Sequence, residues 1–391
     1  MNWAATSPSD LLADTIVVSG WGAIEQAGSS LRSTTGRMME TLLNKEICVK
    51  ALYYVGDKTM EMRDIPAPTV KAGQYLVQVK ANGICGSDFE GYMGKTGRRI
   101  PPMIMGHEVS GIIEEVPAGG KIKKGERVVV FPKPFCGVCD FCRKGMVNVC
   151  PAGICMGVMD VNGSMAEYIA VDEKYLIPFG SSLSFNEASM TEPLAVAYRS
   201  VHKISDQEIK EAEYCMVIGA GTIGLLVVAL LKMRGAKNII VSDATNFRLE
   251  TAKKMKADYT INSREVDFLE TVKNITNGKM CDFAIEAVGI ATTASNSLDC
   301  LRIGGTVVWI GNAQKMVEVN MQKIVTTELT IKGNYVYDFP GFRESLKLLE
   351  QRKIDISPLM TNVYPLSDGV KAFRDLENNK DGKMLKVFLE N

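Results

Sequence analysis

Histidine is nearly missing from this chain: 391 residues contain only His107 and His202. With so few imidazoles and no accompanying serine or aspartate motif, the sequence does not support a Ser-His-Asp hydrolase. An excess of either charge is also absent. The 45 basic and 45 acidic side chains argue against nucleic acid or an acidic membrane surface as the main partner. Long hydrophobic runs are lacking too; the longest, Ile223 to Leu231, contains a glycine and falls far short of the ~20 residues of a transmembrane helix. The N-terminus has neither the basic start nor the continuous apolar stretch of a secretory signal, and Asp10, Asp14, Glu25 and Glu40 are foreign to a transit peptide. What remains is an ordinary globular composition, 46% hydrophobic and 23% charged, on a chain long enough for about two domains. Ten cysteines in such a length are not a secreted disulfide scaffold, and their spacing suits metal in a reducing, cytoplasmic compartment.

Four of those cysteines, Cys136, Cys139, Cys142 and Cys150, follow the order C-x2-C-x2-C-x7-C. Short loops of this kind let four thiolates close around one Zn²⁺ with no position left for substrate, which describes a structural site. Reduced core cysteines are the plainer alternative, but Pro132 to Gly145 is too rich in proline, glycine and charge for a core strand or helix. Lys133, Arg143 and Lys144 are near enough in sequence to offset the thiolate charge. A zinc ribbon for nucleic acid would use similar cysteines and would bring a basic face, which the charge balance does not supply.

Residues 1–46 carry little periodicity beyond the strand-like Asp14 to Gly22, whose DTIVVSGWG resembles a strand of trypsin-like proteases; they read as an extension without chemistry of its own. From Ile47 the pattern is strand and turn, with strands expected at Cys48 to Tyr54, Tyr75 to Lys80, Val109 to Val116 and Arg127 to Phe131. Strand-helix alternation starts after about residue 195. The expected architecture is therefore a β-rich domain followed by a doubly wound α/β domain.

The α/β part opens on a strand, Tyr214 to Ile218, followed by Gly219-Ala-Gly221-Thr-Ile-Gly224 and a helix over Leu225 to Arg234. A lone GxGxxG is weak evidence. Here it has a strand before it, a helix after it, a second strand at Asn238 to Ser242, and Asp243 at that strand's end, which together form a dinucleotide fingerprint. Gly219 permits the tight turn, Gly221 lets backbone approach a pyrophosphate, and Gly224 lets helix and sheet pack closely. A carboxylate at Asp243 suits the ribose hydroxyls of NAD and repels the phosphate of NADP, with Arg248 as the qualifying neighbour. Other α/β ligands such as S-adenosylmethionine are a smaller alternative. Later strands, Phe283 to Val288, Thr306 to Ile310 and Leu329 to Lys332, put Gly289, Ile310, Gly311, Asn312 and Asn334, Tyr335, Val336 and Tyr337 near the nicotinamide end.

A second metal is suggested by Cys85-Gly-Ser87-Asp88 after one strand and Gly106-His107-Glu108 before the next. Cys85, His107 and Glu108 meeting in space would make a three-ligand zinc with an open position. GICGSD, GHE, the cysteine lobe, Thr191-Glu192-Pro193-Leu194-Ala195, GAGTIG and Asp243 together resemble the zinc-dependent medium-chain dehydrogenases, most of all the polyol branch (sorbitol, galactitol phosphate, butanediol), with threonine dehydrogenase nearby. The resemblance covers Ile47 to Asn391. It implies an α/β fold with a GroES-like β-rich catalytic domain (47–195, completed by 338–391) and a Rossmann domain with a doubly wound parallel sheet (196–337), assembled as a homodimer or homotetramer. It further implies two zincs per subunit and NAD. Cys85 and His107 would bind the catalytic zinc, with Glu108 or Glu192 as third ligand, and Ile223, Asp243 and Arg248 would contact the dinucleotide. Zinc would acidify the hydroxyl of a small alcohol so that its carbon can pass hydride to C4 of the nicotinamide, with Ser87 taking the proton.

Some positions depart from the family's pattern. Glu90 stands where relatives often have a relay histidine, Gly91 replaces an aromatic that contacts polyol in sorbitol dehydrogenase, and Val336 replaces its substrate arginine, while Tyr337 is kept. These point away from sorbitol itself. Lys95, Arg98 and Arg99 read as a solvated loop, the alternative being a phosphate receptor. A catalytically retired zinc- or dinucleotide-binding protein is the non-enzyme alternative, and the intact ligand set favours the enzyme.

Overall fold

The computed structural model describes residues 48–391; residues 1–47, with the strand-like stretch Asp14 to Gly22, lie outside them. The strands are β1 (Cys48–Gly56), β2 (Thr59–Pro66), β3 (Gln74–Ile84), β4 (Met103–Ile104), β5 (Glu108–Glu115), β6 (Arg127–Val130), β7 (Tyr168–Asp172), β8 (Leu176–Pro178), β9 (Tyr214–Ile218), β10 (Asn238–Asp243), β11 (Tyr259–Asn262), β12 (Cys281–Glu286), β13 (Leu301–Trp309), β14 (Thr330–Gly333), β15 (Met360–Pro365) and β16 (Lys386–Glu390). No helix among the described residues is long and apolar enough to cross a membrane.

β3 is the spine of the first sheet, in the order β15-β16-β3-β5-β6-β8 with β7 also on β3. Its first half, Gln74 to Lys80, alternates buried and partly buried residues; Ala81 to Ile84 are buried throughout, because β5 and β16 flank them on both sides. The last two strands thus close a sheet begun some 300 residues earlier, which is why the C-terminal segment belongs with the catalytic half. β1, β2 and β4 form a separate three-stranded sheet.

The second half is a six-stranded parallel sheet in the order β11-β10-β9-β12-β13-β14, the doubly wound arrangement whose ligand crevice opens where the order reverses, between β9 and β12. β9 (YCMVI) is buried at all five positions, as a parallel strand covered by helices on both faces should be. The helix Thr222–Met233 is apolar on nearly every side, burying Leu225, Leu226, Val227, Val228, Leu230 and Leu231. A helix of that kind needs partners all round. It packs between the sheet and the helix Thr191–Val201, and one hydrophobic cluster runs from Val77 and Val129 through Leu194 and Ala197 to Val217 and Leu226. The 195/196 boundary expected from sequence falls inside that helix. The helix is the shared wall of both halves, so the switch from β to α/β composition occurs in mid-element.

Candidate active site

Strand pairing assembles the metal motifs. In the antiparallel ladder of β3 and β5, Gly83 faces Glu108 and Asn82 faces Val109, so Cys85, just past the end of β3, and His107, just before the start of β5, emerge at the same edge. Cys85 is the extended residue that caps the short helix Gly86–Tyr92, and the Asp88 carboxylate in the first turn accepts from the Cys85 N–H at 3.2 Å. Ligand atoms of Cys85, His107 and Glu108 lie within 4.8 Å of one another. Sulfur, imidazole nitrogen and carboxylate oxygen at that spacing fit zinc with three protein ligands and an open position. Nδ1 of His107 stands 3.5 Å from Asp88 Oδ1, leaving Nε2 for a metal; carboxylates behind ligating histidines orient the ring in this way.

Glu192 is outside that triplet. It sits in the first turn of Thr191–Val201, buried, and its carboxyl is held up to about 8, first by burial and then by the negative charges of Glu108 and Cys85, against the opposing pull of His107 and Tyr337. The Cys85 thiol is likewise pushed up to about 11 by burial and by Glu108 and Asp88. Protein groups alone thus crowd negative charge into a dry space, and a divalent cation there reverses the balance. Tyr337 is buried and faces Glu192.

Three cations or partners at this site escaped the sequence reading. Lys386, at the start of β16 and 1% exposed, donates to the Ile84 carbonyl at 3.1 Å and pairs with Glu108. A lysine opening a strand some 280 residues from GHE carries no local signal. Asp88 was visible in the Cys-Gly-Ser-Asp loop yet had no assigned role. Arg99, expected on a solvated loop, is buried: its Nη2 donates to Asp88 Oδ1 at 2.9 Å and to Ser87 Oγ at 3.1 Å. The reason is local, since Asp88 is fully buried and attracts a cation; Lys95 and Arg98 stay exposed. Burial pushes the Asp88 carboxyl up, and the charges of His107 and Arg99 outweigh it to bring it below the ordinary value. Ser87 is exposed, with its hydroxyl 3.3 Å from Cys85 Sγ.

In the cysteine lobe, Cys136 lies 3.9 Å from Cys142 and 3.7 Å from Cys150, with Cys139 4.0 Å from Cys150, sulfur to sulfur. Tetrahedral thiolates at Zn–S of ~2.3 Å are ~3.8 Å apart, so the quartet fits the ion. The Cys136, Cys139 and Cys142 N–H groups point at Cys150, Cys136 and Cys139 sulfurs at 3.3 to 3.4 Å. Of the expected compensating cations, Lys133 is committed to the Gly153 carbonyl and Arg143 pairs with Asp140. Asn148 of this lobe donates to the Tyr335 carbonyl at 3.0 Å.

At the carboxyl edge of the parallel sheet, Gly219 takes φ +95. A Cβ on Gly224 would run into the Gly219 carbonyl, whereas one on Gly221 would enter open space beside the helix start, where phosphates are held by free N–H groups. Ile223 is partly buried in the helix's first turn. Asp243 Oδ2 accepts from Ala220 N–H at 2.8 Å with Arg248 at 3.8 Å. The in-register pairs Ile218 with Glu286, Glu286 with Trp309 and Trp309 with Gly333 bring Gly289, Ile310, Gly311, Asn312 and the 334–337 segment to one edge. Gly289 and Gly311 approach so closely that a Cβ on either would strike the other's backbone. Asn334 is tied to the helix Thr191–Val201 through Arg199 at 3.2 Å, and Val336 is held at φ +43, a strained value for a β-branched residue.

A doubly wound sheet whose carboxyl edge abuts a cysteine, histidine and carboxylate cluster on a separate β-rich unit defines a metal-dependent dehydrogenase. The comparisons agree. Residues 71–181 match the alcohol dehydrogenase GroES-like domain and residues 222–351 the zinc-binding dehydrogenase domain. The chain is 33% identical over 323 residues to sorbitol dehydrogenase of Bacillus subtilis (strain 168), covering 81% of this chain and 90% of that one, and 32% identical over 344 residues to D-arabitol-phosphate dehydrogenase of Enterococcus avium, covering 86% and 95%. The crystal structure of galactitol-1-phosphate dehydrogenase from Escherichia coli superposes with a TM-score of 0.80 at 25% identity, covering 88% and 100%. The chain belongs to the zinc-dependent medium-chain dehydrogenases, and its relatives include the polyol dehydrogenases. It is an oxidoreductase with a Rossmann domain for a nicotinamide dinucleotide.

Proposed function

We propose that this enzyme oxidises a secondary alcohol of a polyol or sugar alcohol, free or phosphorylated, with NAD as hydride acceptor. One observation carries the reading: the 334–337 segment, at the dinucleotide edge of the sheet, ends on Tyr337, which faces Glu192 beside Cys85 and His107. Substrate carbon and nicotinamide therefore have a common meeting place. NAD is favoured over NADP because Asp243 spends only one oxygen on Ala220 and Arg248, which leaves the other for ribose hydroxyls.

Cys85, His107 and either Glu108 or Glu192 would hold a zinc ion, which would supply the Lewis acidity that lowers the pKa of the substrate hydroxyl. Ser87 relays the released proton, accepting it at Oγ as its own hydroxyl proton passes to the solvent to which it is exposed. Tyr337 and Glu192 orient the polyol, and the buried Asp88 carboxylate keeps Cys85 and His107 in place. Cys136, Cys139, Cys142 and Cys150 would hold a second zinc, which would brace the lobe whose Asn148 donates to the Tyr335 carbonyl.

The reading extends to a homodimer or homotetramer in the cytoplasm. Its support is that β14 is an edge strand of the six-stranded sheet with Met321, Val325 and Ile331 exposed close by, and that the cysteines suit a reducing compartment. The test is NAD reduction by the zinc-loaded protein across sugar alcohols, their phosphates, 2,3-butanediol and L-threonine. Turnover of a polyol or its phosphate is expected. Failure on all of these sinks the substrate class, and turnover of butanediol or threonine alone replaces it with that activity.

A further inference from the structure

Buried arginine is rare unless its charge is answered. Arg99 has a side chain only 3% exposed and Asp88 one that is 0% exposed, yet the pair is not a sealed structural bridge. The same Nη2 that reaches Asp88 also reaches Ser87, and Asp88 in turn contacts the Cys85 N–H and faces His107 Nδ1. One nitrogen thus connects the exposed hydroxyl beside the metal motif to the carboxylate behind the histidine. Arg99 Nε is buried with no hydrogen-bond partner, a cost that a residue placed only for stability would not carry.

The route by which Arg99 gets there is equally specific. Gly91 lies in the helix Gly86–Tyr92, and a Cβ on it would collide with Arg99 Cγ, with Cβ and Cδ also in contact range. Gly91 is therefore the opening through which the arginine side chain enters, and any larger residue would expel it. Gly91 has an ordinary helical backbone, so alanine there meets no conformational penalty of its own. Lys386 pairs with Glu108 from the other side, so that the carboxylate behind His107 and the carboxylate of the ligand triplet each have a buried cation.

We propose that Arg99 is a positioning residue of this active site: admitted by Gly91, its guanidinium fixes Ser87 and Asp88, and through Asp88 the ring of His107, in one arrangement for metal binding and proton removal. It rests on the dehydrogenase reading only where turnover is the readout. A guanidinium can present the same charge to two acceptors in fixed geometry, whereas a lysine ammonium is a flexible point charge, and this difference makes the idea testable.

The experiment takes the zinc-loaded full chain with Arg99→Ala, Arg99→Lys, Gly91→Ala and the Gly91→Ala/Arg99→Ala pair. It measures kcat, KM for NAD and alcohol, and the rate at which zinc is lost to a chelator. Removing a supporting partner of a metal ligand typically costs ~10–100-fold in affinity or activity. Arg99→Ala should therefore lose zinc about 10-fold faster and drop kcat by about 10–100-fold, with KM for NAD unchanged and kcat partly restored by millimolar guanidinium. Arg99→Lys should recover zinc retention, by pairing with Asp88, more fully than kcat, which also needs Ser87. Gly91→Ala should reproduce the Arg99→Ala losses, and the pair should be no worse than either single change, because the two act on one interaction. Arg99→Ala with normal kcat and normal zinc retention overturns the proposal, as do Gly91→Ala with normal behaviour or losses that multiply in the pair. If Arg99→Ala fails to fold by circular dichroism, Arg99→Lys and Gly91→Ala decide by the same criteria. If the unaltered enzyme turns over no alcohol, the functional reading fails, and the zinc-loss arm still decides the role of Arg99.

Discussion

Replacing Lys386 with methionine would leave the Glu108 carboxylate stranded. Both side chains are almost fully buried, at 2% and 1% exposure, and the lysine also serves the Ile84 carbonyl. Methionine preserves most of the buried stem while deleting the charge. Breaking a buried pair by removing one member costs about 3–5 kcal/mol, so urea unfolding of the metal-free protein should show a loss of that order, or ~100-fold to several thousand-fold in the unfolding equilibrium. Two comparisons make the cause visible. In Lys386→Met/Glu108→Gln the uncompensated charge is gone, and most of the lost stability should return. With zinc bound beside Glu108, a cation is again present, and the single variant should recover more stability on zinc loading than the unaltered protein does. If Lys386→Met costs less than about 1 kcal/mol, or if the double variant is as unstable as the single one, Lys386 is not the counter-charge of Glu108.

Other expectations can be checked alongside it. Glu192 is held up to about 8 against a usual value of ~4.3, so the folded metal-free protein keeps a proton that the unfolded chain releases. Its stability is greatest below ~4.3 and falls as pH rises towards 8; Glu192→Gln should flatten that slope, and an unchanged slope refutes the assignment. Gly221→Ala should leave thermal stability intact but weaken NAD binding, whereas Gly224→Ala should destabilise the fold, since its Cβ meets the Gly219 carbonyl; calorimetry and cofactor titration separate the two. Cys139→Ser should lower the zinc content of the metal-loaded protein by about one ion per chain, as read by elemental analysis, without abolishing binding at Cys85 and His107. Asp243→Ser should raise KM for NAD about 10-fold, from the loss of charge-assisted hydrogen bonds of ~1.5 kcal/mol or more, and should narrow the preference over NADP.

Local pattern made much of this legible. The strand Tyr214–Ile218, the glycine turn and Asp243 are consecutive signals whose meaning depends on neighbours a few residues away, and the structure keeps them where the periodicity puts them. The cysteine quartet is legible for the same reason, since its loops are short. Arg99 and Lys386 were not. Their roles depend on which cavity a side chain enters, and a basic residue in a polar stretch has the same appearance in sequence whether it points outward or towards a buried carboxylate. The expected 195/196 boundary falls in mid-helix for a related reason: Thr191–Val201 packs against both halves, and composition does not change where packing does.

The lysine that faces Glu108 has a consequence for biogenesis. β16 pairs with β3, and between them in the chain lies the whole dinucleotide-binding sheet. A ribosome would therefore release the cysteine, the histidine and the complete Rossmann unit before the strand that completes their surroundings exists. Pairing across such a separation is slow, and during synthesis the half-built sheet exposes the edge of β3 while Glu108 has no counter-charge. Durable metallation of the catalytic centre should thus be a late event, following docking of β16, and metal supplied during translation should be retained first by the four-cysteine lobe, whose ligands are all made within a few seconds of each other at ~5–20 residues per second.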